Sequence, residues 1–215
     1  MDDPAEAVRG SYDRVAEAYA EHLFDELAGK PLDRALLDCF AEQVRGLGPV
    51  ADVGCGPGQV AGYLAHRGVP VLGVDLSAAM VAVAERLNPA IPFRQGDMLA
   101  LDVADGAWGG IVAFYAIVHL TLDEVSLALR EFRRALRPGG LLLLAFHTGE
   151  EVVHRAELWG VPVTLDFRFF ETAAIERGLE EGGFAVEARI ERQPYPEAEH
   201  PSRRAYLLVR NSPPG

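Results

Sequence analysis

Cysteine is scarce in this chain, with two among 215 residues, Cys39 and Cys55. Two are too few for a disulfide framework, and they predict a reduced, cytoplasmic setting. Long apolar runs are missing as well: none approaches the ~18–20 residues that a membrane span needs. Met1-Asp2-Asp3 carries the wrong charge for a secretory leader. Basic residues are outnumbered, 20 Lys and Arg against 32 Asp and Glu, for a formal net charge of −12. Binding to nucleic acid needs clustered cations and is not expected here; an acidic surface first of all keeps a chain soluble. No repeat, low-complexity block or persuasive set of metal ligands is visible, and Asp102 and Asp105 read as solvated loop acids.

What is present is ordinary globular composition, 49% hydrophobic and 24% charged, and enough chain for one domain with its own core. The organising stretch is Val50-Ala51-Asp52-Val53-Gly54-Cys55-Gly56-Pro57-Gly58. A short apolar strand ends in an acid and runs through three alternate glycines into a helix at Gln59–His66. Such a turn lets a ligand approach the backbone closely, and the helix N-terminus beyond it offers unpaired N–H groups. Two ligand classes use turns of this kind. Gly56, Gly58 and Ala61 fit a dinucleotide pattern, whereas Asp52 with Gly54, Gly56 and Gly58 fits an acid followed by G-x-G-x-G.

Apolar spacing predicts a helix from Pro4 to about Ala28, with Val8, Tyr12, Val15, Tyr19 and Leu23 on one stripe. Gly29-Lys30-Pro31 breaks it. A second helix from Pro31 turns Leu32, Leu36, Phe40 and Val44 inward and places Cys39 on an apolar face. Strands and helices then alternate. Strands are expected at Val50–Val53, Pro70–Val74, Pro92–Gln95, Gly110–Phe114 and Leu141–Phe146. Ser77 caps one intervening helix, and Thr121 with Glu124 forms a capping box on another that Arg137-Pro138-Gly139-Gly140 stops. Thr172 is expected to cap a helix over Ala173–Glu181. Strands at Ala185–Arg192 and Ala205–Arg210 close the chain, their short link making the last one antiparallel. The fold class is therefore α/β, a doubly wound, Rossmann-like sheet, in which ligands bind beyond the C-terminal ends of the strands. The chain divides into N-terminal helices over residues 1–46, a core over 47–210 containing a substrate-side loop at 149–170, and a flexible tail at 211–215.

The strand ends carry the chemistry-bearing side chains. Asp75 closes the second strand, where an ionised acid can accept from both hydroxyls of a ribose. Asp97 closes the third, where a carboxylate can accept from an adenine amine. His119 and His147 stand near later strand ends, with a ring pKa suited to general-base work, although each could be structural. The stretch 149–170 holds Arg155, Trp159, Arg168 and several phenylalanines, a candidate pocket wall with cations for an anionic group.

Taken together, Asp52–Gly58, Val71-Leu-Gly-Val-Asp-Leu-Ser77 with Met80, Gln95-Gly-Asp-Met98, Gly110–Leu120 and Leu136-Arg-Pro-Gly-Gly-Leu-Leu142 resemble the class I S-adenosylmethionine-dependent methyltransferases. The resemblance runs from about Val50 to Phe146. It implies a seven-stranded sheet with a reversed last strand and an N-terminal helical lid carrying Tyr12 and Tyr19. It implies that Asp52, Gly54, Cys55, Gly56 and Gly58 face the methionyl part of the cofactor. Asp75 with Leu76 would hold the ribose, Gly96, Asp97 and Met98 the adenine, and Met80 would pack on the ring. The backbone of Phe114, Tyr115 and Ala116 would reach the methionyl amine, and Tyr19 would close over the cofactor. Tyr12, Tyr115, His119, His147, Trp159 and Arg168 are the expected substrate contacts, with His119 and His147 the candidate bases. Members that methylate DNA bases carry an Asn/Asp-Pro-Pro-Tyr/Phe element where this chain reads Phe114-Tyr115-Ala116-Ile117, which points to a small-molecule acceptor, methylated on O or N, with S-adenosylhomocysteine as product. A monomer or homodimer is expected. An NAD(P)-dependent oxidoreductase and a non-catalytic cofactor-binding partner subunit are the alternatives.

Overall fold

The computed structural model describes residues 4–212. Seven strands form one sheet in the order β3-β2-β1-β4-β5-β9-β8. They are β1 (Val50–Val53), β2 (Val71–Asp75), β3 (Phe93–Gln95), β4 (Trp108–Phe114), β5 (Leu136–Thr148), β8 (Phe184–Arg192) and β9 (Arg203–Asn211). Strands β1 to β5 pair in parallel, and β9 lies antiparallel between β5 and β8. The order reverses at β1 and β4, whose C-terminal ends therefore open a crevice. Strand β1 and all but the last residue of β4 are buried on both faces, which is why they do not alternate between apolar and polar; β4 is apolar throughout, and Asp52 is the one polar residue of β1.

Helices α2 (Pro31–Gln43) and α3 (Gln59–His66) cover one face, and α5 (Leu122–Ala135) and α6 (Thr172–Glu181) the other. Helix α5 starts at the expected capping box of Thr121 and Glu124. Helix α4 (Ala78–Leu87) starts at Ser77, whose hydroxyl accepts from the Met80 N–H. Helix α1 (Pro4–Leu23) lies outside the sheet, against α4 and the hairpin described next.

Several expectations need correction. Residues 149–170 are not a loop: they hold a β-hairpin of β6 (Val152–Leu158) and β7 (Val161–Arg168). Its two-residue turn, Trp159-Gly160, has positive φ at both positions, 49° and 79°. Hairpin turns of that shape usually advertise themselves by Asn or Asp before Gly; a tryptophan there hid the signal. Helix α1 stops at Leu23, and a separate 3₁₀ turn follows at Glu26–Gly29. Helix α2 buries Phe40 and its C-cap Val44 as expected and packs Leu36 partly buried against the core, but it also turns Asp33, Leu37 and Ala41 inward, leaves Leu32 half-buried, and exposes Cys39. The Arg137–Gly140 segment belongs to β5 as an irregular start, with a register shift against β4. Thr172 is the first residue of α6 and not its cap. The expected tail begins too early: Asn211 ends β9, is buried, and donates to the Leu136 carbonyl at 2.8 Å. Residues 213–215 of that tail lie outside the described residues.

No helix among the described residues is long and apolar enough to cross a membrane. No group of three or more His, Cys, Asp or Glu among them is placed to hold a metal ion.

Candidate functional site

A cavity of about 700 Å³ opens at the switch point, walled by the sheet ends, by α1 and by the β6–β7 hairpin. Its size is that of an ordinary small-molecule site. At its floor the glycine turn is locked to the neighbouring strand: the N–H groups of Gly54 and Cys55 both donate to the Val74 carbonyl. Gly54 (φ +72°) has no room for a side chain, since a Cβ would stand 2.5 Å from the Ala116 Cβ. Gly56 (φ +51°) has only the Tyr19 ring near its missing Cβ, at 3.8 Å, so its backbone is bare to the cavity.

Most of the expected cofactor residues line this cavity: Tyr19, Gly54, Cys55, Gly56, Asp75, Leu76, Met80, Gly96, Asp97, Met98, Phe114, Tyr115 and Ala116. Asp52 and Gly58 do not. Asp52 is buried beneath the turn, where one carboxylate oxygen accepts from the Ala61 N–H at 3.0 Å and burial raises the carboxyl to about 7. It anchors the start of α3. Gly58 is pressed against Phe93 and Asn88, with hypothetical Cβ distances of 2.8 and 2.9 Å.

Asp75 reaches the cavity with both oxygens already oriented. One accepts from Ser77 N–H at 2.9 Å and the other from Gly56 N–H at 2.8 Å. Each oxygen keeps a further lone pair for an outside donor. Asp97 is fixed in the same way, accepting from Leu99 N–H at 2.8 Å.

The two histidines also line the cavity. His119 Nδ1 lies 2.8 Å from the Asp166 carbonyl, and Nε2 lies 2.7 Å from the Tyr12 hydroxyl. A carbonyl only accepts, so Nδ1 carries the proton, and the Tyr12 O–H donates to Nε2. Burial brings this imidazole down to about 4 and raises the Tyr12 phenol well above its usual range, so both are neutral. His147 is stacked on Phe169 at 5.1 Å and bonded through Nδ1 to Ser202 Oγ at 2.8 Å. Burial, with Arg204, His200 and Lys30 nearby, brings it down to about 3.

The hairpin supplies the remaining wall. Trp159 stacks on His22 at 4.8 Å and meets Tyr19 edge-on at 5.7 Å, which docks the hairpin tip on α1. Arg168 lines the cavity; its nearest carboxylate oxygen, on Asp166, is 3.9 Å away, and its Nε is buried with no hydrogen-bond partner.

One part of the site was not anticipated. Glu26 and Lys30 from the α1–α2 connection, Glu199 and His200 from the β8–β9 connection, and Arg204 of β9 also line the cavity. Burial pushes Glu199 up, but the Arg192 guanidinium, at 2.6 and 2.8 Å, outweighs it and holds the carboxyl below its usual range. The sequence offered only a helix break and a polar link at these positions.

Comparisons with known proteins agree with this geometry. Residues 50–140 match the family described as a methyltransferase domain. The malonyl-[acyl-carrier protein] O-methyltransferase of Enterobacter lignolyticus is 30% identical over 154 residues, covering 72% of this chain and 59% of that protein. The demethylmenaquinone methyltransferase of Beutenbergia cavernae is 31% identical over 149 residues, covering 67% and 60%. The chain thus matches about three fifths of the length of these relatives. In fold it is similar to the Burkholderia thailandensis 1,6-didemethyltoxoflavin-N1-methyltransferase, solved with 1,6-didemethyltoxoflavin and S-adenosylhomocysteine, at a TM-score of 0.76 and 19% identity over 99% of this chain and 92% of that one.

Proposed function

We propose that this chain is a class I S-adenosylmethionine-dependent methyltransferase that transfers a methyl group from S-adenosylmethionine to oxygen or nitrogen of a small molecule, a reading supported by the methyltransferase domain matched over residues 50–140. The observation that carries the reading is that one cavity is lined by Asp75, Asp97 and the bare backbone of Gly56 and also by His119 and His147. A nucleoside and an acceptor can be placed end to end in such a space.

The residues fit the cofactor. Gly56 leaves the backbone open, Asp75 has lone pairs for ribose hydroxyls, and Asp97 with Met98 forms a polar and apolar edge suited to adenine. Bound there, S-adenosylmethionine supplies an activated methyl on a sulfonium; the protein positions the acceptor and keeps water out. Tyr12 and Tyr19 from α1 and Trp159 from the hairpin cover the space and serve desolvation. Burial lowers His119 to about 4, below the near-neutral value expected of a general base, so its unprotonated Nε2 first holds the Tyr12 hydroxyl; through that hydroxyl it is the candidate acceptor for a proton that methyl transfer itself makes strongly acidic. His147 orients the acceptor alongside Phe169 and Tyr115. Arg168 and Arg155 favour an acceptor that carries an anionic group.

The relatives named above are named for different acceptors, a malonyl group on acyl-carrier protein, demethylmenaquinone and 1,6-didemethyltoxoflavin. Both cysteines are free thiols, which supports a cytoplasmic setting, and a monomer or homodimer is proposed.

Isothermal titration calorimetry with S-adenosylhomocysteine tests this reading, with NADH as the control ligand and Asp75→Ala as the control protein. Micromolar binding of S-adenosylhomocysteine that Asp75→Ala loses is the expected outcome. No binding by the intact protein, or binding of NADH in its place, would refute it.

A further inference from the structure

The chain contains a single lysine, Lys30, and it is buried at 5% exposure in the wall of the cavity. Lysine is rarely buried, because removing an ammonium from water costs several kcal/mol unless it is paired. Here one carboxylate pairs with it closely: Glu26 Oε2 lies 2.5 Å from Nζ. The next, Glu199 Oε1, stands 3.8 Å away, beyond hydrogen-bond reach, and the Tyr115 ring centroid lies 5.4 Å from Nζ. An ammonium has three N–H donors. One goes to Glu26, so the group keeps donor capacity toward the cavity.

Beside this pair stands Gln59, the first residue of α3 after the glycine turn. Its Nε2 donates to the other Glu26 oxygen at 3.0 Å. Its Oε1 is buried with no hydrogen-bond partner, although the residue lines the cavity. A buried amide oxygen left unpaired is destabilising because it gives up its bonds to water for none in the protein, so it calls for a donor. Lys30, Glu26 and Gln59 thus present a cation with spare donors, an anion and an orphaned acceptor in one hydrogen-bonded row. The row adjoins Tyr19, whose ring lies against Gly56. The complement of such a row is a zwitterion, an α-carboxylate beside an α-ammonium.

We infer that Lys30, Glu26 and Gln59 form the clamp for the amino-acid end of the cofactor, with Lys30 donating to the carboxylate, Gln59 Oε1 accepting from the ammonium, and Glu26 balancing its charge. This rests on the methyltransferase reading and deepens it. Two of the three residues belong to the α1–α2 connection, so the clamp ties the cover of the site to its occupant. The carboxylate and ammonium are the same before and after methyl transfer. The clamp therefore contributes equally to both states, and its loss should raise the Michaelis constant for the cofactor and leave turnover little changed.

The test is calorimetry with three ligands on the full chain: S-adenosylhomocysteine, its decarboxylated analogue that keeps the amine, and 5′-methylthioadenosine, which lacks the amino-acid end. Wild type should bind S-adenosylhomocysteine about ten- to hundredfold more tightly than the decarboxylated analogue. Lys30→Met should lose that factor for S-adenosylhomocysteine and leave the affinities for the other two within about twofold. Glu26→Gln and Gln59→Leu should weaken both amine-bearing ligands and spare 5′-methylthioadenosine. Equal loss of all three ligands in Lys30→Met would mark a structural role and overturn the clamp. Indifference of wild type to decarboxylation would overturn it without any variant. Failure of wild type to bind any of the three would instead refute the methyltransferase reading itself.

Discussion

His119 should be a neutral ring whose protonation by acid costs folding stability. In an unfolded chain a histidine titrates near 6.5. In the fold, burial outweighs the Asp166 carbonyl and brings His119 to about 4. With the folded value below the unfolded one, the unfolded chain takes the proton first. The stabilisation is therefore intact above ~6.5 and is lost as the pH falls toward ~4. Between about pH 7 and pH 5 linkage gives a loss of about 2 kcal/mol, an upper figure because the ring keeps some solvent contact. The whole-protein curve hides this. Burial raises Asp52 to about 7 in the fold, so the folded state binds that proton first and gains stability over the same interval. The informative quantity is a difference. Urea unfolding of wild type and His119→Gln should be measured at about pH 7, 6 and 5. The advantage of wild type over the variant should shrink by about 2 kcal/mol across the series. Parallel curves would refute the neutral, Nδ1-protonated assignment and with it the proton path through Tyr12.

Two further outcomes follow from the site. Asp52→Ala leaves the Ala61 N–H without its partner and should lower stability by about 1–3 kcal/mol, read by urea midpoint, with S-adenosylhomocysteine affinity within a few-fold; a lost binding isotherm at unchanged stability would place Asp52 in the site after all. Trp159→Ala, which undocks the hairpin tip from His22 and Tyr19, and Arg168→Ala, which removes a cation from the cavity wall, should each raise the Michaelis constant of the acceptor in steady-state assays. Unchanged kinetic constants in both would take the hairpin out of the substrate wall.

The parts of the fold that could be read ahead are those governed by local rules. Strand β4 is buried on both faces over all but its last residue and so is a continuous apolar run, and α5 advertises its start by a capping box whose two bonds both form. The hairpin was missed because its turn puts a tryptophan at φ +49°, against local preference. Docking of that ring on His22 and Tyr19 accompanies the unfavoured backbone angle. The face of α2 was read only in part, Phe40 and Val44 but not Asp33, for a related reason. Asp33 points inward because Arg192 and Tyr206, 159 and 173 positions away, meet it at 2.8 and 2.9 Å. Hydrophobic periodicity cannot foresee a buried acid whose partners are that remote.

By itself, then, the order of residues determined the sheet, the glycine turn and the acids at the strand ends, because each depends on neighbours within a few positions or on a side chain's fixed place at the end of a strand. Tertiary structure alone decided which of these groups share the cavity. It sent Asp52 and Gly58 behind the turn, gave His119 its tautomer through a carbonyl 47 positions away, and set Glu26 and Lys30 beside Gln59. Those outcomes depend on contacts between distant segments, and a hydrogen bond or a buried charge is defined only once both partners are in place.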